Sequence, residues 1–192
     1  MSKQHTEEYG WSAVPRNRSN LPGAHDARAD AVDVDFESIW PRTPVVEKAQ
    51  QYVKEHLPQE TYNHSLRVYC YGESDTHPLS APPSFLTNVY RAGHTIVTQN
   101  LPDWIAPAAR DAFFETWALV CLFHDLATTP AHRTATHMSF EFQGGFIALR
   151  ELQAFGAPQP QAESVCEAII RHQDPGDSGR DRSFARRFPY SY

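Results

Sequence analysis

Phe113-Phe-Glu-Thr-Trp-Ala-Leu-Val-Cys-Leu-Phe-His-Asp125 is the stretch on which the fold turns. Phe113, Trp117, Val120, Cys121 and His124 stand at i, i+4, i+7, i+8 and i+11, the spacing of one helical face. The spacing predicts a helix over about 107–124. Pro107 lies near its start, where a fixed φ suits a helix and the missing N–H has no partner to lose. Helical text continues on both sides. Upstream, Val45, Val46, Ala49, Tyr52 and Val53 predict a helix from Pro44 to about Leu57-Pro58. Tyr62, Leu66, Tyr69 and Cys70 form the stripe of a second, over about 60–72, with Gly72 where a C-cap belongs. Downstream, helices are expected over 139–155, closing at Gly156, and over 161–172, with Val165, Ile169 and His172 on one side. No segment alternates with period two. The expected fold is all-α, a helical bundle.

Composition narrows the class. A chain of 192 residues, 41% hydrophobic and 21% charged with a formal net charge of −6, has room for one modest domain. No run of about 18 apolar residues predicts a membrane span. Met1-Ser-Lys-Gln-His-Thr-Glu-Glu lacks the apolar core of a secretory signal. The acidic balance argues against a dedicated nucleic-acid binder. Cys70, Cys121 and Cys166 lie singly in apolar text, as expected of reduced core thiols in a cytoplasmic protein.

Residues 1–44 read as a flexible lead-in, because 15–35 hold too few large apolar side chains to offset their ordering entropy. Gly10-Trp-Ser-Ala-Val-Pro15, ahead of them, is expected to dock through its Trp. Residues 45–174 form the helical domain, and 175–192 an aperiodic tail. The domain is interrupted by 73–93, which carries Pro78, Pro82 and Pro83 and no period. An irregular loop of that length inside a compact domain is unusual.

Ten histidines are too many for all to carry chemistry. His5, His25 and His77 sit in polar text, and His56 and His94 have no evident partner. His64 lies within a predicted helix, His124 and Asp125 close the most apolar one, and His172 ends another. Taken singly, each reads as a helix-terminal or core residue. Together, an apolar helix ending in His-Asp and two more helices each presenting a His are how a bundle builds a metal site. Imidazole with carboxylate suits Zn²⁺, Fe, Mn or Ni, and the lack of Cys ligands disfavours a closed structural zinc site.

The order His64 … His124-Asp125 resembles the HD-domain superfamily, whose pattern is H…HD…D on an all-helical core. More narrowly, the chain resembles its fungal cyanamide hydratase branch. Gly10-Trp-Ser-Ala-Val-Pro15, Glu60-Thr-Tyr-Asn-His-Ser-Leu-Arg-Val68, Thr116-Trp-Ala-Leu-Val-Cys-Leu-Phe-His-Asp125, Met138-Ser-Phe-Glu-Phe-Gln-Gly-Gly145 and Glu167-Ala-Ile-Ile-Arg-His172 carry the likeness in order. The resemblance implies a Zn²⁺-dependent hydro-lyase, with Fe or Mn as other candidate ions, that adds water across the carbon–nitrogen triple bond of cyanamide to give urea. Metal-bound hydroxide, available near neutral pH, would attack the nitrile carbon. By motif position His64, His124 and Asp125 are the implied ligands. His172 is the implied substrate contact or proton donor, and Glu141 a supporting or general-base carboxylate. Thr128, Thr129 and Ser139 either line the pocket or cap helices. The implied partner is a small-molecule substrate, with no nucleic acid or membrane; a homo-oligomer is compatible with the chain. The alternatives are an HD-type phosphohydrolase, for which Arg133 is the nearest basic residue, and a non-catalytic remnant.

Two departures from the family pattern stand out. The last family ligand, an Asp on a helix beyond the position of His172, has no match, since 175–192 lacks helical period. The second is 73–93, which has no family counterpart. Gly72-Glu-Ser, Leu86-Thr and Ala92-Gly93 are all encodable by splice-donor, branch-point and acceptor sequences. The expectation is therefore an unspliced intron at 73–93 and a second gene-structure error at the C-terminus. A cDNA retaining codons 73–93 would overturn the first.

Overall fold

The computed structural model describes residues 9, 13–15, 36–71, 109–172 and 180–182. Seven helices and two short strands appear among them. In chain order these are β1 (Ala13–Pro15), α1 (Phe36–Ile39), α2 (Pro44–His56), α3 (Gln59–Tyr71), α4 (Arg110–Phe123), α5 (Pro130–Arg133), α6 (Phe140–Phe155), α7 (Gln159–Arg171) and β2 (Arg180–Arg182). A 3-10 turn, Leu126–Thr128, joins α4 to α5. The fold is all-α, and the strands add only a two-stranded antiparallel ribbon, with Val14 opposite Asp181. The expectations on 73–93 and on the start of α4 at Pro107 fall outside the described residues.

α4 is the centre of the core. Phe113 is buried, and so is every residue from Thr116 to Phe123. One apolar face was expected; the helix is instead apolar all round, as a helix enclosed by others must be. α2, α3 and α7 pack around it, and α6 lies across α7 and α2. α2 begins with the Thr43 hydroxyl accepting the Val46 N–H at 3.3 Å and Pro44 in the first turn. It buries Val46, Ala49 and Val53. α3 docks beside it, with Gln50 Nε2 donating to the Tyr62 hydroxyl at 2.8 Å.

Within the lead-in assigned to 1–44, α1 and Trp40 are packed. Trp40 is only 5% exposed, stacks on Phe36 at 5.1 Å and meets the edge of Tyr69 at 4.8 Å. The Tyr69 hydroxyl donates to the Ile39 carbonyl at 2.7 Å. Phe36, Ile39 and Trp40 stand at i, i+3 and i+4, a helical stripe of barely one turn that the sequence reading passed over. Arg42 and Glu37 form an exposed ion pair alongside.

α6 and α7 form the most extensive helix pair. Gly156 ends α6 as expected, at φ 98°, a left-handed conformation that suits glycine. Its N–H reaches the Leu152 and Gln153 carbonyls, and the Ala157 N–H donates to Leu152 at 2.9 Å. α7 starts two residues before the expected Gln161, because Pro160 fits its first turn. Gly145 sets the approach of the two helices. A Cβ there would lie 2.8 Å from Ile170 Cγ1 and 3.0 Å from the Cys166 carbonyl oxygen. At Gly144 the nearest atom would be 3.5 Å away. Gly145→Ala is therefore expected to destabilise by about 1–3 kcal/mol through overpacking. Gly144→Ala is expected to be neutral or to stabilise by up to about 1 kcal/mol through helix propensity. Urea midpoints of the two variants check the contrast.

Candidate metal centre

α3 runs past the end of α4, and this crossing brings three donor atoms together. His124 Nε2 lies 3.3 Å from His64 Nε2 and 3.1 Å from Asp125 Oδ2, and His64 Nε2 lies 3.5 Å from Asp125 Oδ2. The donors of His64, His124 and Asp125 all fall within 4.8 Å of one another. They span a gradient of burial, with side-chain exposures of 34% for His64, 18% for Asp125 and 2% for His124. The most enclosed donor is thus also the one most firmly aimed.

Backbone contacts do the aiming. His124 caps α4, and its Nδ1 lies 2.8 Å from the Cys121 carbonyl. A carbonyl only accepts, so Nδ1 carries a proton and the neutral ring turns the Nε2 lone pair toward Asp125 and His64. The Thr128 hydroxyl donates to the Asp125 carbonyl at 2.7 Å, and the Thr128 N–H does so at 3.0 Å. These bonds hold the turn on which Asp125 sits. Neither Thr129 nor Ser139 caps the helix that follows it with its side chain, although both stand at N-cap positions.

Three lone pairs this close together are relieved by a proton or a cation between them. Burial disfavours charged His124, but the Asp125 carboxylate outweighs it and raises the pKa. Burial likewise pushes Asp125 up, yet His124, its hydrogen bond and then His64 and His172 pull it down to about 2. The carboxylate thus favours protonation of His124 beyond its ordinary value, and in that state Nε2 donates to Asp125 instead of offering its lone pair. A divalent cation also fits. With metal–donor distances of about 2.0–2.2 Å, donors at the tetrahedral angle stand about 3.4 Å apart, close to the 3.1, 3.3 and 3.5 Å observed.

Metal uptake at neutral pH is accordingly expected to release protons and to weaken as pH falls, which calorimetry in buffers of different ionisation enthalpy measures. In the metal-free chain Asp125 contributes stability that is in place above about pH 4 and is lost as pH falls toward its folded value. The raised His124 contributes stability that is in place below about pH 6.5 and is lost as pH rises through its folded value. The stability difference between the chain and Asp125→Asn is expected to be largest between those limits.

The structure brings His172 to the same cluster. It is 4% exposed, and its ring meets that of His124 edge-on at 5.8 Å. Its Nδ1 lies 2.6 Å from the Ile169 carbonyl, which fixes the tautomer as for His124. Burial, and then the charge of His124, lower its pKa. Glu141, in the first turn of α6, stands close enough for its charge to bear on His172. Its Oε2 is buried without a hydrogen-bond partner among the described residues. Sequence reading missed Phe140, whose ring meets His172 edge-on at 5.7 Å. Its position just before Glu141 at the head of α6 was the available signal. Gly144, facing the His124 carbonyl, was also missed. The thiols stay protonated, since burial pushes Cys70 to about 12 and Cys166 to about 11.

Fold and site together define an all-helical domain whose two histidines and one aspartate form a candidate metal centre. The chain is homologous to two curated yeast enzymes. It is 32% identical over 175 residues to cyanamide hydratase DDI2 and to cyanamide hydratase DDI3 of Saccharomyces cerevisiae, a span covering 90% of this chain and 63% of each enzyme. The chain thus spans less than two thirds of the length of these relatives. No protein-family model matches it. Among the described residues no helix is long and apolar enough to cross a membrane.

Proposed function

We propose that the chain is a metal-dependent hydro-lyase of the HD-domain type that hydrates cyanamide, a small nitrile, to urea. The observation that carries this reading is the convergence of His64, His124 and Asp125 in a chain homologous to cyanamide hydratases. Those three residues would hold the ion, with Zn²⁺ favoured and Fe or Mn chemically compatible. Bound there, a divalent cation makes hydroxide available from water near neutral pH. A new C–O bond then forms at the nitrile carbon, one C–N π bond breaks, and a proton goes to the nitrile nitrogen.

His172 and Glu141 serve that proton traffic. Burial and the charge of His124 favour the neutral form of His172, in which, with Nδ1 engaged at Ile169, Nε2 is an acceptor suited to orient the amino group of cyanamide. The buried Glu141 Oε2 takes up the proton that water loses and returns it to the nitrile nitrogen. The isourea so formed tautomerises to urea. Phe140 and His172 wall the site with rings, and the side chains that pull the Asp125 pKa down are histidines, His124 foremost. That setting suits a small neutral substrate better than a phosphate ester, which wants Arg or Lys. The reading places the chain in the cytoplasm, where single buried cysteines such as Cys70, Cys121 and Cys166 stay reduced.

The test is to purify the 192-residue chain, measure bound metal and follow urea formation from cyanamide. Stoichiometric metal with urea production supports the reading. Phosphate release from nucleotides without urea would favour a phosphohydrolase, and neither metal nor turnover would favour a non-catalytic remnant.

A further inference from the structure

His124 and Asp125 stand side by side in the chain, yet they are held differently. His124 is fixed from several directions: its N–H donates to the Val120 carbonyl at 3.0 Å, its Nδ1 is engaged at the Cys121 carbonyl, and its ring is enclosed. Asp125 has no comparable support. Its side chain is 18% exposed, and among the described residues the hydrogen-bond and ion-pair partners of its carboxylate are His64 and His124. Those are the two histidines with which it would share a cation. A metal-binding carboxylate is ordinarily held by a hydrogen bond from outside the ligand set, and losing such a partner weakens metal binding about 10–100-fold.

The aim of Asp125 therefore comes from its backbone. The residue lies past the end of α4, at φ −102° and ψ 6°, where the helix gives way to the 3-10 turn Leu126–Thr128. Leu126 and Ala127 are buried, so the turn itself is seated in the core. Thr128, at its end, reaches back to the Asp125 carbonyl twice, through its N–H at 3.0 Å and its hydroxyl at 2.7 Å. The N–H bond is the one any 3-10 turn makes. The hydroxyl bond comes from this side chain, and the two together use both lone pairs of the oxygen. They set the peptide plane from which the Asp125 side chain departs.

We propose that Thr128 is a positioning residue of the metal centre: its hydroxyl clamps the Asp125 carbonyl and so holds the carboxylate toward His64 and His124. It acts through Asp125 and supplies no donor of its own. The effect on metal affinity rests on the reading of the trio as a metal centre; the clamp on the turn does not.

Three full-length variants test it. Thr128→Val keeps the shape and removes the hydroxyl, and Thr128→Ser keeps the hydroxyl. Thr134→Val removes a bond of the same kind at the end of α5, where the Thr134 hydroxyl donates to the Pro130 carbonyl at 2.9 Å. Zinc affinity, read by competition with a chromophoric chelator, is expected to fall about tenfold in Thr128→Val. Thr128→Ser and Thr134→Val keep the affinity of the parent. The measurement is made without denaturant, with circular dichroism verifying that each variant is folded, so a residue serving stability alone would leave affinity untouched. Parental affinity in Thr128→Val overturns the proposal. An equal loss in Thr128→Ser or in Thr134→Val also does, since it would trace the effect to shape or to general loosening. The Thr128 amide, which closes the turn, is expected to exchange about five- to tenfold faster in Thr128→Val, as for the loss of one hydrogen bond holding a local opening. If the parent itself binds no zinc, the metal-centre reading fails, while unchanged exchange of this amide is what overturns the clamp.

Discussion

His124→Ala and Asp125→Ala are each expected to abolish metal binding, with bound ion falling from about one per chain to background, and urea formation with it. A three-donor site has no redundancy: removing one donor leaves two, too few to hold a catalytic zinc, for which three protein ligands are the usual minimum. The two losses differ in kind. Asp125 supplies the only carboxylate of the trio, so Asp125→Asn, nearly isosteric, should also strip the metal while leaving the packing in place. His124 is fully enclosed, and its removal opens a cavity beneath the site as well as deleting a ligand. Elemental analysis of the purified variants, beside circular dichroism to verify the fold, reads the result. Stoichiometric metal in both alanine variants would refute the ligand assignment.

Trp117→Ala is expected to lose about 3–5 kcal/mol, a large part of the roughly 5–15 kcal/mol that holds a domain folded. Trp117 is 1% exposed, and its indole N–H donates to the Tyr69 carbonyl at 3.3 Å. Tyr69 lies in the last turn of α3, where helix carbonyls lack partners of their own helix. The indole thus fills volume and ties α3 to α4. Trp117→Phe keeps much of the volume but drops the bond, and should cost about 1–3 kcal/mol. Since α3 carries His64, metal affinity should fall in step with stability across the pair. Chemical denaturation with and without zinc separates the two effects; a Trp117→Ala chain as stable as the parent would contradict this account.

The sequence was most legible where one residue decides a backbone event. α2 begins at Pro44 and Gly156 ends α6, as the helical spacing and the glycine stop predict. The meeting of His64 with His124-Asp125 was legible because a helix ending in adjacent donors can present them only in one direction. What escaped lay in contacts that no local pattern encodes. Trp40 enters the core from a stripe of barely one turn with Phe36 and Ile39, and β1 and β2 find each other from opposite ends of the chain with three residues apiece. Gly145 was visible as a glycine, but its close approach to Ile170 exists only once α6 and α7 are packed. The buried oxygen of Glu141 is likewise a product of packing, since the same residue on an open helix face would be solvated.

The short connection through Gly156 also governs the order of assembly. α6 and α7 are neighbours in the chain, so their pairing closes a small loop and loses little chain entropy. His64 and His124 are 60 positions apart, and their encounter awaits the docking of α3. The hairpin of α6 and α7 is expected to gain amide protection first in pulse-labelled refolding, and α3 last; simultaneous protection of both would contradict this sequence of events. The chemistry-bearing corner of the molecule then becomes the final part to form, and its completion marks the moment the chain has finished folding.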